Sequence, residues 1–324
     1  MKLFIQIPCL NEAEFLPATL AALPKKVEGF DEVKWLIIDD GSSDNTAEVA
    51  LAHGVDYVVR FSHNQGLASA FQAGVDACLK LGADVIVNTD ADNQYDASAI
   101  PALVKPILEG TADVVVGDRD TKNVSEFSWL KRKLQSFGTG VVQRFSGVPV
   151  TDATSGFRAF DREAAMQINL VSKFTYTIES LIQVNDASLA LANTPVKRND
   201  SVRPSRLFGS TWKYIRRNAW TMMRIYVQYR PLRLFMPLGA LLFLLSFISF
   251  MPWIIDNINP PATPHIQSVI LGAVLFISAI QVVLFGVIAD SIYSVRALTT
   301  KTLKRVRDIE LKVGVEPQIH KKRG

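Results

Sequence analysis

The sequence predicts an α/β domain with a largely parallel sheet, followed by a two-helix transmembrane hairpin. Three observations carry this. Residues 1 to about 208 alternate short apolar runs with segments of helical spacing, the signature of a sheet covered on both faces by helices. Residues 234–255 and 266–289 carry no charged side chain, and each run is long enough to cross roughly 30 Å of hydrocarbon as a helix. Arginines and lysines flank that pair and are missing from the connector between its halves.

The predicted strands are residues 3–8, 33–39, 55–60, 84–90 and 113–119, with helical spacing between them, as in Phe15, Leu16, Thr19, Leu20 and Leu23. In such sheets ligands bind beyond the carboxyl ends of the strands, so the residues after each strand are the candidates for function. Pro237 and Pro252 lie near the ends of the first apolar run, where they cost a helix least. Arg216, Arg217, Arg224, Arg230 and Arg233 precede the pair, and Arg296, Lys301, Lys304, Arg305 and Arg307 follow it. The excess of positive residues on both outer flanks predicts that both ends lie in the cytoplasm. Residues 209–230 mix Trp212, Tyr214, Trp220 and Tyr226 with basic residues, a composition suited to an amphipathic helix at the membrane interface. The predicted organisation is therefore a cytoplasmic domain over 1–208, an interfacial helix over 209–230, two spans within 231–295, and a basic cytoplasmic tail over 296–324.

Composition agrees. Hydrophobic residues make up 48% of the 324-residue chain and the mean hydropathy is +0.17, apolar for a wholly soluble protein. The net charge of +4 is small, and no nucleic-acid partner is expected. Cys9 and Cys78 form no metal-type spacing and read as buried thiols in a reducing compartment. The apolar run after Met1 is too short for a signal peptide, so the first domain is expected to stay in the cytoplasm.

The fourth predicted strand ends in Asn88, Thr89, Asp90, Ala91, Asp92, Asn93 and Gln94. Two carboxylates one residue apart repel unless a counter-ion joins them, and a hard cation such as Mg²⁺ or Mn²⁺ takes oxygen ligands. Taken alone, the triplet fits a solvated acidic turn equally well. Its companions are Asn11 and Glu12 after the first strand, and Asp39, Asp40 and the Gly41–Ser43 turn after the second. These offer acceptors and backbone groups at the same sheet edge. One of Ser43, Asp44 or Asn45 is expected merely to cap the next helix.

The ordered segments IPCLNE (7–12), DDGSSDNT (39–46), NQGLASAFQAG (64–74), TDADNQ (89–94) and TSGFRAF (154–160) resemble the family 2 glycosyltransferases. Within them the chain is most similar to polyprenyl-phosphate glycosyltransferases of the dolichol-phosphate mannose synthase and glucosyltransferase type. The resemblance implies a GT-A (Rossmann-like) nucleotide-sugar-binding domain, a divalent metal and inversion at the anomeric carbon. It places Pro8, Leu10, Glu12, Asp39, Asp40 and Asp90 at the donor nucleotide, and Asp92 and Gln94 at the metal. Leu10 stands where some relatives have an aromatic residue, a departure that inclines the reading towards UDP over GDP. For the acceptor phosphate it implies Arg132 and Ser136, spaced i, i+4 on one helix face, together with Arg119 after the fifth strand. Arg203 and Arg206 stand near a Gly-x-Ser-Lys pattern of the mannose synthases, and one of them is expected to bind phosphate. Asp152 shapes the acceptor side or a structural turn. The catalytic set is then Asp90, Asp92, Arg119 and Arg132. The expected partners are a nucleotide sugar, undecaprenyl or dolichyl phosphate and a membrane, the bacterial inner membrane or the endoplasmic reticulum. Homo-oligomerisation is left open. Transfer to another acceptor and a non-catalytic membrane adaptor are the rival readings.

Overall fold

The computed structural model describes residues 1–119, 140, 143, 147–170, 176–199, 223–224, 226–258 and 265–317. The chain forms two compact units, Met1–Ser205 with Lys301–Gly324, and Arg206–Thr300.

The first unit is built on seven strands: β1 (Lys2–Cys9), β2 (Glu32–Asp39), β3 (Tyr57–Arg60), β4 (Val85–Asn88), β5 (Val114–Asp118), β6 (Arg158–Asp161) and β7 (Leu191–Pro195). They lie in the order β3-β2-β1-β4-β6-β5-β7. All pairings are parallel except those of β6, which runs antiparallel to both β4 and β5. Sequence reading found the first five strands and missed β6 and β7.

β1 is central and buried on both faces from Leu3 to Cys9, so its sequence is a near-continuous apolar run rather than an alternation. Pro8 is tolerated because β1 outruns β4. The β1–β4 pairing ends at Gln6 opposite Asn88, and the Gln6 carbonyl faces β4 by accepting from Thr89 N at 3.1 Å. Two residues on, the position that lacks an N–H faces no strand partner. Around the sheet lie α1 (Leu16–Ala22), α2 (Thr46–Ala52), α3 (Leu67–Lys80), α4 (Ile100–Leu108), α5 (Arg162–Gln167) and α6 (Thr177–Asp186). α3 crosses β1 and β2 with Ala68, Phe71, Val75 and Cys78 buried.

The end of the chain returns to this unit. Arg307 is buried; its guanidinium donates to the Met166 and Ile168 carbonyls, both at 3.0 Å, and meets Asp76 of α3 at 2.9 Å. These are terminal carbonyls of α5 that the helix cannot satisfy itself. Lys304 meets Glu163 at 2.6 Å, and Glu310 meets Lys80 at 3.6 Å.

The second unit contains α7 (Pro231–Ile258) and most of α8 (Ile266–Val313). Both are long and apolar enough to cross a membrane, and only 11% and 17% of their most apolar windows are buried, unlike the core helix of a soluble protein. Small residues bring the two together. A Cβ on Gly239 would meet Val283, and one on Gly272 would meet Phe250. Ser246 donates to the Gly272 carbonyl and Ser249 to the Ser268 carbonyl, each at 2.8 Å. Close approach plus hydroxyl bonding is how apolar helices associate where water gives no drive. α8 continues to Val313, so residues 296–313, read from sequence as part of a basic tail, are helical. The segment read as interfacial, 209–230, lies mostly outside the described residues.

Gly41 follows β2 with φ +71°, and a Cβ there would come within 2.4 Å of the His63 backbone. Gly41→Ala is therefore expected to cost about 2 kcal/mol or more through strain and clash. A melting temperature in detergent lowered by several degrees would agree; an unchanged one would contradict this packing.

Candidate active site

The carboxyl ends of β1, β2 and β4 lie side by side, since Cys9 pairs with Asp39 and Gln6 with Asn88. The antiparallel sense of β6 adds a fourth contributor. Its first residue, Arg158, pairs with both Asn88 and Val116, so the loop leading into β6 sits at the same edge, next to the end of β5.

The β1 and β2 ends are clamped together. Asn11, at φ +53°, accepts from Ser43 N and Ser43 Oγ at 2.9 and 3.1 Å, and its own N–H donates to Ser42 Oγ at 2.9 Å. Asp44 accepts from Thr46 N and Ala13 N, the helix-supporting role expected of one residue in that turn. Asp39 is fully buried, accepting from Ser42 N at 2.8 Å and lying 3.1 Å from Arg60 Nε. Asp40 receives the Gln65 and Gly66 N–H groups at 2.7 and 3.0 Å, which holds the Asn64–Gly66 turn against the edge. Both carboxylates thus have internal work in shaping the edge. Pro8 and Glu12 are buried, whereas Leu10 is 37% exposed.

The Asp90–Gln94 turn is fixed from three sides. Thr19 Oγ1 donates to the Ala91 carbonyl at 2.7 Å. Asn199 N–H donates to the Gln94 carbonyl at 3.0 Å, and Asn199 Nδ2 donates to the Asn93 and Tyr95 carbonyls at 2.9 and 3.3 Å. Asp92 Oδ1 accepts from Gln94 N at 3.2 Å. Asp90 keeps some accessible surface yet lies among so many protein atoms that burial, with the charge of Asp92, pushes its carboxyl up to about 6. Arg119 and the Tyr95 hydroxyl pull the other way.

Among the described residues no group of three or more His, Cys, Asp or Glu side chains is placed to hold a metal alone. Asp92 and Gln94, expected at a metal from the sequence, would supply two oxygens. A hard cation wants about six oxygens, and one carboxylate with one amide leaves most positions for a diphosphate and water. The crowding that raises Asp90 is a charge imbalance of the sign a cation corrects.

Arg119 follows β5. Its Nε and Nη2 bind Asp152 at 2.6 and 3.0 Å, and Nη2 also donates to Thr154 Oγ1 at 2.8 Å. Burial would raise Asp152, but the bonds and charge from Arg119 hold its carboxyl below the ordinary value. The Arg119 guanidinium lies 5.8 Å from the Tyr95 ring centre. Tyr95 stacks on Phe157, and its hydroxyl accepts from Gly156 N at 2.9 Å. A Cβ on Gly156 would meet the Tyr176 hydroxyl at 2.6 Å and Asp90 at 3.0 Å, so only glycine fits there.

Two residues here had no role in the sequence reading. Asn199 carries no motif. Arg158 is quoted within TSGFRAF, but a charged residue at a strand start ordinarily points to solvent. Instead it is fully buried, donating to the Ala153, Ser155 and Thr177 carbonyls and to Ser180 Oγ at 2.7–3.0 Å. Burial pulls its guanidinium down to about 10. Of the expected site residues, Pro8, Leu10, Glu12, Asp39, Asp40, Asp90, Asp92, Gln94 and Arg119 gather at one edge. Arg132, Ser136, Arg203 and Arg206 lie outside the described residues.

The family model for glycosyl transferase family 2 matches residues 4–168, the stretch that contains this edge. The chain belongs to glycosyl transferase family 2. It is a glycosyltransferase with a GT-A-type sheet, and a second model, the GtrB C-terminal hairpin, matches residues 230–295. The undecaprenyl-phosphate mannosyltransferase of Micrococcus luteus is 32% identical over 52% of this chain and 70% of its own length. The UDP-N-acetylglucosamine–dolichyl-phosphate N-acetylglucosaminyltransferase of Methanococcus voltae is 27% identical over 60% of this chain and 84% of its own. Among solved structures, glucosyl-3-phosphoglycerate synthase from Mycobacterium tuberculosis superposes with a TM-score of 0.54, covering 70% of this chain and 79% of that one at 21% identity. That likeness shows the fold.

Arg158→Met strips donors from three buried carbonyls and is expected to cost about 2–4 kcal/mol. The measurement is the melting temperature; a loss below about 0.5 kcal/mol would mean that Arg158 does not hold the loop before β6.

Proposed function

We propose that this glycosyltransferase moves a hexose from a UDP- or GDP-sugar to the phosphate of a polyprenyl lipid, undecaprenyl or dolichyl, at the cytoplasmic membrane face, with inversion and a divalent cation. The observation that carries this reading is one sheet edge that sets an acidic turn, Asp90 to Gln94, beside a half-buried arginine, Arg119, in a chain that also carries two apolar helices. Both curated relatives named above act on polyprenyl phosphates and differ in sugar, which supports the acceptor class and leaves the sugar open. The Leu10 position favours UDP.

In this reading the nucleoside lies over the ends of β1 and β2, against Pro8, Leu10, Glu12 and the Asp39–Asp40 turn. Asp90 contacts the donor, and Asp92 with Gln94 holds the cation. A cation bound there supplies charge neutralisation for the leaving diphosphate. Arg119, with two of its nitrogens committed to Asp152 and Thr154, acts as a fixed positive charge rather than a mobile fork. Arg132, Ser136 and one of Arg203 or Arg206 complete the phosphate site, on the strength of residue type and spacing. The acceptor phosphate oxygen attacks the anomeric carbon opposite the diphosphate, forming the new C–O bond as the old one breaks, and the nucleoside diphosphate departs. A phosphate monoester has its second pKa at about 6, so the attacking oxygen is already ionised and needs no strong base. Positioning and charge complementarity supply the catalysis. The basic flanks of both apolar helices support the cytoplasmic face.

Asp92→Ala is expected to lower transfer from nucleotide sugar to polyprenyl phosphate by at least about 100-fold in detergent, with the fold retained. Turnover within a few fold of wild type would sink the assignment.

A further inference from the structure

Asn93 stands between Asp92 and Gln94 with φ +54°. That is the left-handed region, which costs any residue but glycine backbone energy and persists where the surroundings enforce it. One residue supplies most of the enforcement. Asn199 N–H donates to the Gln94 carbonyl at 3.0 Å, and Asn199 Nδ2 donates to the Asn93 and Tyr95 carbonyls at 2.9 and 3.3 Å. Three consecutive carbonyls of the turn thus go to one partner, and both hydrogens of its side-chain amide are used. The peptide planes on either side of Gln94 are thereby pinned, which fixes the direction in which its side chain leaves the backbone. Next to Asn199, Tyr95 bridges Arg198 in the antiparallel sense, and Asp96 N–H donates to the Lys197 carbonyl at 3.3 Å. On the other side of the turn, Thr19 holds the Ala91 carbonyl and Asp92 Oδ1 is tied to Gln94 N.

We propose that Asn199 is a positioning residue for the cation: it keeps Asn93 in the left-handed conformation, so that Asp92 and Gln94 present their oxygens to one ion. The inference rests on the reading of Asp92 and Gln94 as that ion's ligands. Two ligands on one short turn act together only while the turn holds its shape. Without Asn199, binding a cation must itself enforce the strained conformation, and the affinity falls by the fraction of time the turn is correctly formed. Asn199 acts through carbonyls of the turn rather than as a ligand, the relation of an outer partner to the residues that touch a metal. Its place in the chain makes this a long-range device, since it follows β7 whereas the turn follows β4.

The test is Mn²⁺ binding to the full chain in detergent with UDP present, read from the electron paramagnetic resonance signal of free Mn²⁺, with the melting temperature measured beside it. Asn199→Ala is expected to weaken Mn²⁺ binding by at least about tenfold. A merely structural role would lower the melting temperature and leave the affinity of the folded protein unchanged. Asn199→Ser, whose hydroxyl has one proton and cannot serve both carbonyls, carries the same expectation should the alanine variant not fold. Adding Asn93→Gly to Asn199→Ala is expected to regain at least about threefold of the lost affinity, because glycine adopts a positive φ without strain. Mn²⁺ affinity within about twofold of wild type in the folded Asn199 variant would overturn the proposal, as would no recovery in the double variant. Asp92→Ala separates the two readings. If it binds Mn²⁺ as wild type does, the ligand assignment fails and the proposal with it; if it loses Mn²⁺ while Asn199→Ala does not, the role of Asn199 alone fails.

Discussion

Negative charge concentrated at one sheet edge is the constraint around which the first unit is organised. Asp39, Asp40, Asp90, Asp92 and Asp152 all stand at or beyond strand ends, and several are buried. Burying carboxylates is costly unless each has donors or a counter-charge. The fold supplies these separately. Main-chain N–H groups of Ser42, Gln65 and Gly66 serve Asp39 and Asp40, and Arg119 serves Asp152. Asp90 is the member left with a raised carboxyl, about 6. Its charge is the one that a bound cation would relieve.

The antiparallel strand β6 is what brings a further loop to the edge formed by β1, β2 and β4. A wholly parallel sheet would return the chain to this edge only after each strand. Reversing β6 delivers its preceding loop there instead, and Arg158 fastens that loop from beneath through carbonyls at 153, 155 and 177. Tyr95 joins the two halves: its hydroxyl serves Asp90 and Gly156, and its ring lies under Arg119. The Asp90–Gln94 turn and the loop before β6 are thus linked through a few polar groups bonded within the protein.

Much of this was legible in the sequence. β1, β2 and β4 are long or fully buried apolar runs, and the residues that follow them do come together at one edge. β6 and β7 escaped because their signal is weak. β6 is four residues beginning with Arg158, and β7 contains Asn193, Thr194 and Pro195 with only partial burial. Asn199 escaped for another reason: its value lies in reaching the Asn93 and Tyr95 carbonyls more than a hundred residues away in the chain, and no local pattern encodes such a contact. Arg158 escaped because charge ordinarily implies solvent. Its burial is made tolerable by carbonyls that only the folded loop brings together.

The most direct test is acceptor dependence with the wild-type protein. Purified chain is incubated with labelled UDP- and GDP-sugars, with and without undecaprenyl or dolichyl phosphate, in Mn²⁺ or in excess chelator, and the lipid fraction is analysed by mass spectrometry. The account predicts a glycosyl phosphopolyprenol that forms only with the lipid phosphate, carries the inverted anomeric linkage and disappears with chelator. Sugar transfer that ignores the lipid phosphate, or a lipid product formed undiminished in chelator, would contradict it.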